Sequence, residues 1–237
     1  NKIIAVMSMA GWGYYTSAGS ATNYAAMVED ILTSTSPDYE VLEYIQDGTI
    51  IGVELGNEED EIHQDINLNW YHNFDPSLAV STQNYFSCGQ KYAEYYVLAR
   101  NAIRDNIPIS QCPNFLIYAP AISKHDTLSL GDDALYPGVG QSAKAFLCGF
   151  LSKVANNYGG VNKLPDVISI HGYDKVRPEC SKDSILGASE WYHRLDTLKS
   201  ICDNYNYHPK FAITEYGYSP VRSEEHTSEL QSRSDLV

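Results

Sequence analysis

Two glutamates and a histidine stand at the ends of short apolar runs, where a fold can bring distant side chains together. Glu58 closes Gly52-Val-Glu-Leu-Gly-Asn-Glu58, and Glu215 sits inside Ala212-Ile-Thr-Glu-Tyr-Gly-Tyr218. His171 and Tyr173 end the run Asp166-Val-Ile-Ser-Ile-His-Gly-Tyr-Asp174. Two carboxyls held across a cleft can divide the work of acid, base and nucleophile. Two carboxyls with a histidine can also ligate a metal, which would make Glu58, Glu215 and His171 the centre of a metal-dependent hydrolase or isomerase. That reading calls for further acids or histidines at neighbouring strand ends. The corresponding stretches are Ser8-Met-Ala-Gly-Trp12 and Ala119-Pro-Ala-Ile-Ser123, with His125 and Asp126 close behind. The acidic run Glu58 to Glu61 with His63 reads as a solvated loop, so no metal is expected.

These residues need elements to position them. Apolar runs predict strands over 3–8, 49–55, 115–119, 166–170 and 210–214. Between them, apolar residues at helical spacing predict helices over 23–32, 91–107, 143–158 and 189–205, with Pro108 and Gly159-Gly160 as stops. A long loop is expected over 59–87. Strands and helices alternate, so the fold class is α/β with parallel strands covered by helices. A doubly wound sheet or part of a (β/α)8 barrel would satisfy that order. No glycine-rich phosphate motif follows a strand, which weakens nucleotide-binding versions. Trp12, Asn57, Glu58, His171, Tyr173 and Glu215 all fall at C-terminal strand ends, the face that carries barrel active sites. The expected architecture is therefore a partial TIM (β/α)8 barrel.

In order and strand spacing, the three motifs resemble the clan A glycoside hydrolases, retaining enzymes built on a (β/α)8 barrel. In that clan an Asn-Glu pair closes the fourth barrel strand, a second Glu closes the seventh, and many members carry His-x-Tyr at the sixth. The resemblance makes the five visible strands numbers 3 to 7, over roughly residues 3–220. It implies Glu58 as acid/base, Glu215 as nucleophile, and Asn57, His171, Tyr173, Trp12 and Tyr216 as substrate-binding residues. Retention requires the two carboxyls about 5–5.5 Å apart across the scissile bond. The acid must stay protonated near neutral pH, so Glu58 is expected to be raised by burial or by its anionic partner. Tyr173 would donate to Glu215, and Asn57 would reach the sugar 2-OH. The implied substrate is a β-linked oligo- or polysaccharide, with no cofactor. A secreted setting is typical of the clan. A non-catalytic carbohydrate-binding homologue is the remaining alternative.

Composition excludes several classes. Lys and Arg number 16 against 30 Asp and Glu, a net charge of −14, so neither nucleic acid nor an anionic membrane is an expected partner. No apolar run is long enough to span a bilayer. Tyrosine is abundant, at 19, with 3 Trp. Such rings suit sugar surfaces, and Trp12, Tyr14, Tyr15, Trp70 and Tyr71 are candidate platforms, but rings of this kind pack cores equally well. The 5 cysteines show no metal-like spacing. Cys148 and Cys202 fall in helical patterns and read as small buried hydrophobes.

Both ends shape the expected domain. The chain opens at Asn1 directly into a strand, which reads as a missing N-terminus. Residues Arg222 to Ser232 resemble the translation of a sequencing-library adapter. The expectation is a catalytic domain over 1–221, incomplete as a barrel, followed by a non-native tail over 222–237.

Overall fold

The computed structural model describes residues 2–7, 20–34, 40–57, 82–122, 142–174 and 187–218. At residues 20, 82–85, 142–143, 172–174, 187–194 and 216–218 it describes the backbone alone. Trp12, Glu58, residues 59–81 of the expected loop, Cys180 and residues 222–237 lie outside the described residues.

Five strands form one sheet: β1 (Ile3–Met7), β2 (Ile50–Leu55), β3 (Leu116–Tyr118), β4 (Val167–Asp174) and β5 (Lys210–Tyr218). Every pairing is parallel, and the strands lie in sequence order, β1-β2-β3-β4-β5. A doubly wound sheet must reverse that order at a switch point, and this one does not. Right-handed crossovers between successive neighbours put all the helices on one face. The helices are α1 (Ser20–Leu32), α2 (Val41–Gln46), α3 (Thr82–Asn106), α4 (Ser142–Asn157) and α5 (Gly187–Asp203). They pack in a row, α1 on α3, α3 on α4 and α4 on α5.

The sheet is curled. One hydrogen bond demonstrates the curl: Thr214 on β5 donates to Glu54 Oε1 on β2 at 2.8 Å. In a flat sheet these strands would stand three spacings apart, about 14 Å. Two short side chains cannot bridge that distance, so the inner faces of β2 and β5 must turn toward each other.

The outer face is apolar because alternate strand residues meet the helices. Val53, Leu55, Ile117, Ile168 and Ile170 are buried there against Val28, Leu32, Tyr92, Ile103, Phe146, Phe150 and Leu151. Tyr92 lies 5.6 Å from Phe146 and 5.2 Å from Phe150, and Tyr96 meets Phe150 edge-on at 5.0 Å. Tyr24, Tyr92, Tyr95, Tyr96, Tyr118 and Tyr207 are all buried, so much of the tyrosine serves the core. Their hydroxyls find backbone carbonyls. Tyr24 donates to Met7 O at 2.7 Å and Tyr92 to Leu55 O at 2.5 Å, pinning the last residues of β1 and β2. Tyr207 donates to Pro165 O at 2.6 Å, just before β4.

Two glycines set how closely α3 and α4 approach. A Cβ at Gly89 would stand 1.9 Å from Phe146 O, and one at Gly149 would stand 1.9 Å from Phe86 O. The helices thus touch backbone to backbone, each through its own glycine. At the opposite end of the sheet, α3 fastens the connection into β4. Arg100 donates to Asn162 O at 2.8 Å, and Arg104 donates to Asp166 Oδ2 at 2.5 Å and to Phe115 O at 3.1 Å. Asp166 Oδ2 also accepts the Ile117 N–H at 2.7 Å, tying β3 to the start of β4.

The boundaries depart from expectation in three places. Helix α3 begins at Thr82 rather than 91, so the end of the expected loop is helical. Gly89 and the polar residues before it obscure the periodicity, and packing on α4 overrides their weak propensity. The short helix α2 was not anticipated: Val41, Leu42 and Ile45 face the core, but six residues are too few to read as a period. Strand β4 runs on to Asp174 and β5 to Tyr218, because both continue pairing past a register shift. Cys112, Cys148 and Cys202 are free thiols. Cys202 is buried as expected and Cys148 half-buried. Burial raises the Cys148 thiol and pushes Cys202 up to about 12. Among the described residues no helix is long and apolar enough to cross a membrane.

Candidate functional site

Three titratable side chains meet on the inner face, near the C-terminal ends of β2, β4 and β5. Strand β2 supplies Glu54. Alternation puts Val53 and Leu55 among the helices, so Glu54 must point inward, and it is 1% exposed. Strand β4 supplies His171, fully buried, two residues after the buried Ser169 on the same face. Strand β5 supplies Glu215, whose side chain is 38% exposed.

Simple alternation would put Glu215 on the same face as Ile213, away from His171. The register shift prevents this. Ile170 pairs with Ile213, but the next residue, His171, pairs with Glu215. Thr214 is the extra residue of a bulge, a device that re-aims side chains beside functional sites. The result is a line of three groups. His171 Nδ1 lies 3.6 Å from Glu215 Oε2, and His171 Nε2 lies 4.0 Å from Glu54 Oε1.

Around Glu54, Thr214 donates to Oε1, while Oε2 is buried with no hydrogen-bond partner. Desolvation drives this carboxyl above its ordinary range. The Ser169 and Thr214 hydroxyls and the charge of His171 oppose the rise, and the Glu215 charge adds to it. Tyr118, opposite Glu54 in the register, is buried too, and its hydroxyl is pushed up by burial and by the Glu54 charge. The Tyr118 ring lies over Gly52, where a Cβ would come within 2.5 Å of it. Ser169 Oγ accepts the Ala121 N–H at 2.9 Å, holding the backbone after β3 against β4.

Asn57 follows β2 and is half-buried. The turn that delivers it needs glycine, since Gly56 has φ 92° and donates its N–H to Met7 O at 3.0 Å. Of the expected site residues, the fold brings His171 and Glu215 together and puts Asn57 at the C-terminal end of β2. Tyr173 and Tyr216 are backbone positions on β4 and β5, paired with Gly217 and Gly172 respectively. Glu58, one residue past Asn57, and Trp12 lie outside the described residues. Glu54 shares strand parity with Glu58, which is the signal in the sequence for its inward side chain. Thr214 and Ser169 went unnoticed, although Ser169 stands two residues before His171 and Thr214 directly precedes Glu215. Among the described residues, no three His, Cys, Asp or Glu side chains gather as metal ligands.

Neither any family model nor any curated protein matches the chain.

Proposed function

We propose that this chain contributes the catalytic face of a retaining glycoside hydrolase acting on β-linked saccharides, built on a (β/α)8 barrel. The observation that carries the reading is the meeting of β2 and β5 across the interior, joined by the Thr214–Glu54 hydrogen bond. Retention needs two carboxyls on opposite sides of one bond, about 5–5.5 Å apart. Strands three places removed in an open sheet offer no such gap; a curled sheet does. Glu215, aimed inward by the bulge and partly open to solvent, has the access a nucleophile requires. Asn57 follows β2 at the same rim and Glu58 is the next residue in the sequence, so Glu58 is the acid/base in this reading, and Asn57 contacts the sugar. Glu58 first protonates the leaving oxygen while Glu215 forms the glycosyl ester; water activated by Glu58 then releases the sugar.

Labelling with 2-deoxy-2-fluoro β-glycosides that carry an activated leaving group tests this reading. The leaving group departs, the Glu215 ester accumulates, and peptide mass spectrometry should find the sugar on the Glu215 peptide. Glu215→Ala should abolish both the label and turnover. Turnover that survives Glu215→Ala, or a label on another acid, would sink the assignment.

A further inference from the structure

The buried carboxyl of Glu54 has no part in the two-step chemistry just described, yet it lies at one end of the line that runs through His171 to Glu215. We propose that Glu54 is a positioning residue held as the uncharged acid, so that the charge of the cluster rests on Glu215 and the single His171 hydrogen sits on Nδ1, facing it.

Three observations lead there. Glu54 is 1% exposed, and its Oε2 is buried with no hydrogen-bond partner, a setting that penalises a carboxylate heavily. The groups that do reach it are neutral hydroxyls, Thr214 on Oε1 at 2.8 Å and Ser169 beside it. The Glu215 side chain, by contrast, is 38% exposed, a setting in which a carboxylate costs far less desolvation. Of the possible arrangements carrying one net negative charge, the cheapest in desolvation leaves that charge on the more exposed carboxyl. Its Oε2 then lies 3.6 Å from Nδ1 and attracts the ring hydrogen there. The opposite nitrogen, Nε2, lies 4.0 Å from Glu54 Oε1. An ionised Glu54 would draw the hydrogen to Nε2, or add a second proton to the ring, and either would change what Glu215 faces. Neutral Glu54 leaves the hydrogen where Glu215 uses it. Around Glu54 on the described inner face stand Tyr118 from β3, Ser169 and His171 from β4, and Thr214 and Glu215 from β5, with Val6 of β1 opposite it in the register. None of them is a lysine or arginine that would hold an anion at Glu54. As a statement about the nucleophile, the inference rests on the function proposed above; the proton arrangement itself does not.

The test is long-range ¹H–¹⁵N NMR of the full chain labelled at histidine, without substrate, near neutral pH. The His171 signals are assigned by their loss in His171→Gln. A neutral ring with hydrogen on Nδ1 is expected. Glu54→Gln, an uncharged mimic, should leave that pattern in place. Glu215→Gln, which removes the attracting charge, should weaken the Nδ1 preference. A doubly protonated ring, an Nε2–H tautomer, a Glu54→Gln spectrum that differs in tautomer, or an unchanged Glu215→Gln spectrum would each overturn the proposal. The unmodified chain alone decides the tautomer if a variant does not fold. Failure of the fluoro-sugar label with an Nδ1–H ring would refute the glycosidase reading and leave this one standing.

Discussion

Glu54 shows how one residue can oppose stability and still be kept in place by its neighbours. Its folded-state carboxyl is raised, chiefly by desolvation, so across the window from the ordinary glutamate range up to that raised position the folded chain binds more protons than the unfolded one. Stability therefore falls as pH rises through that window; the Glu54 contribution is intact below it and lost above it. Glu54→Gln keeps the shape and the acceptor for Thr214 but removes the titration. Urea unfolding at several pH values should show a shallower decline for Glu54→Gln than for the parent. Parallel curves for the two would mean that Glu54 ionises in the fold as it does in the unfolded chain.

At the scale of elements, the pairing of α3 with α4 depends on the absence of two side chains. Glycine within a helix is worth about 0.5–1 kcal/mol less than alanine by propensity, so Gly149→Ala on an open helix face would stabilise. Here its methyl would stand 1.9 Å from Phe86 O, a backbone atom that cannot rotate aside. Overpacking of this kind costs about 1–3 kcal/mol, which outweighs the propensity gain. Gly149→Ala should lower the melting temperature, and Gly89→Ala should do the same against Phe146 O. A rise in melting temperature for either would show that the helices can separate at little cost. The same pairing carries Tyr92, which holds the Leu55 carbonyl at the end of β2, so helix packing and the rim of the site are joined through one hydroxyl.

For the whole molecule, the outstanding feature is the pair of edges. Among the described strands, β1 and β5 each have one neighbour. Val6 on β1 is 47% exposed and Ile213 on β5 is 50% exposed, so apolar surface lies along unpaired backbone. Such edges template pairing between chains, and a charged residue blunts them. Ile213→Lys should raise the concentration at which the chain begins to scatter light while leaving the melting temperature nearly unchanged. Aggregation at the same concentration as the parent would place the sticky surface elsewhere. The net charge of −14 works in the same direction as the substitution by keeping molecules apart, but it is spread over the chain and does not protect a particular strand.

Much of this was legible from residue order alone. Apolar runs and helical spacing located the five described strands and four of the five described α-helices, because burial imposes those patterns wherever a chain folds. The same spacing set Asn57 just past β2, and it set His171 and Glu215 just past strands that in fact run on through them to Asp174 and Tyr218. Strand order was not legible, since alternating strands and helices fit both doubly wound and sequential sheets; the pairings decided it. Neither the β5 bulge nor the curl could be read either. A bulge is one residue of slippage between two strands, and no single strand records it. The curl that joins Thr214 to Glu54 is a property of the assembled sheet. A polar residue inside an apolar run signals only that something must satisfy it, and the partners of Glu54 became visible once distant strands had been folded against one another.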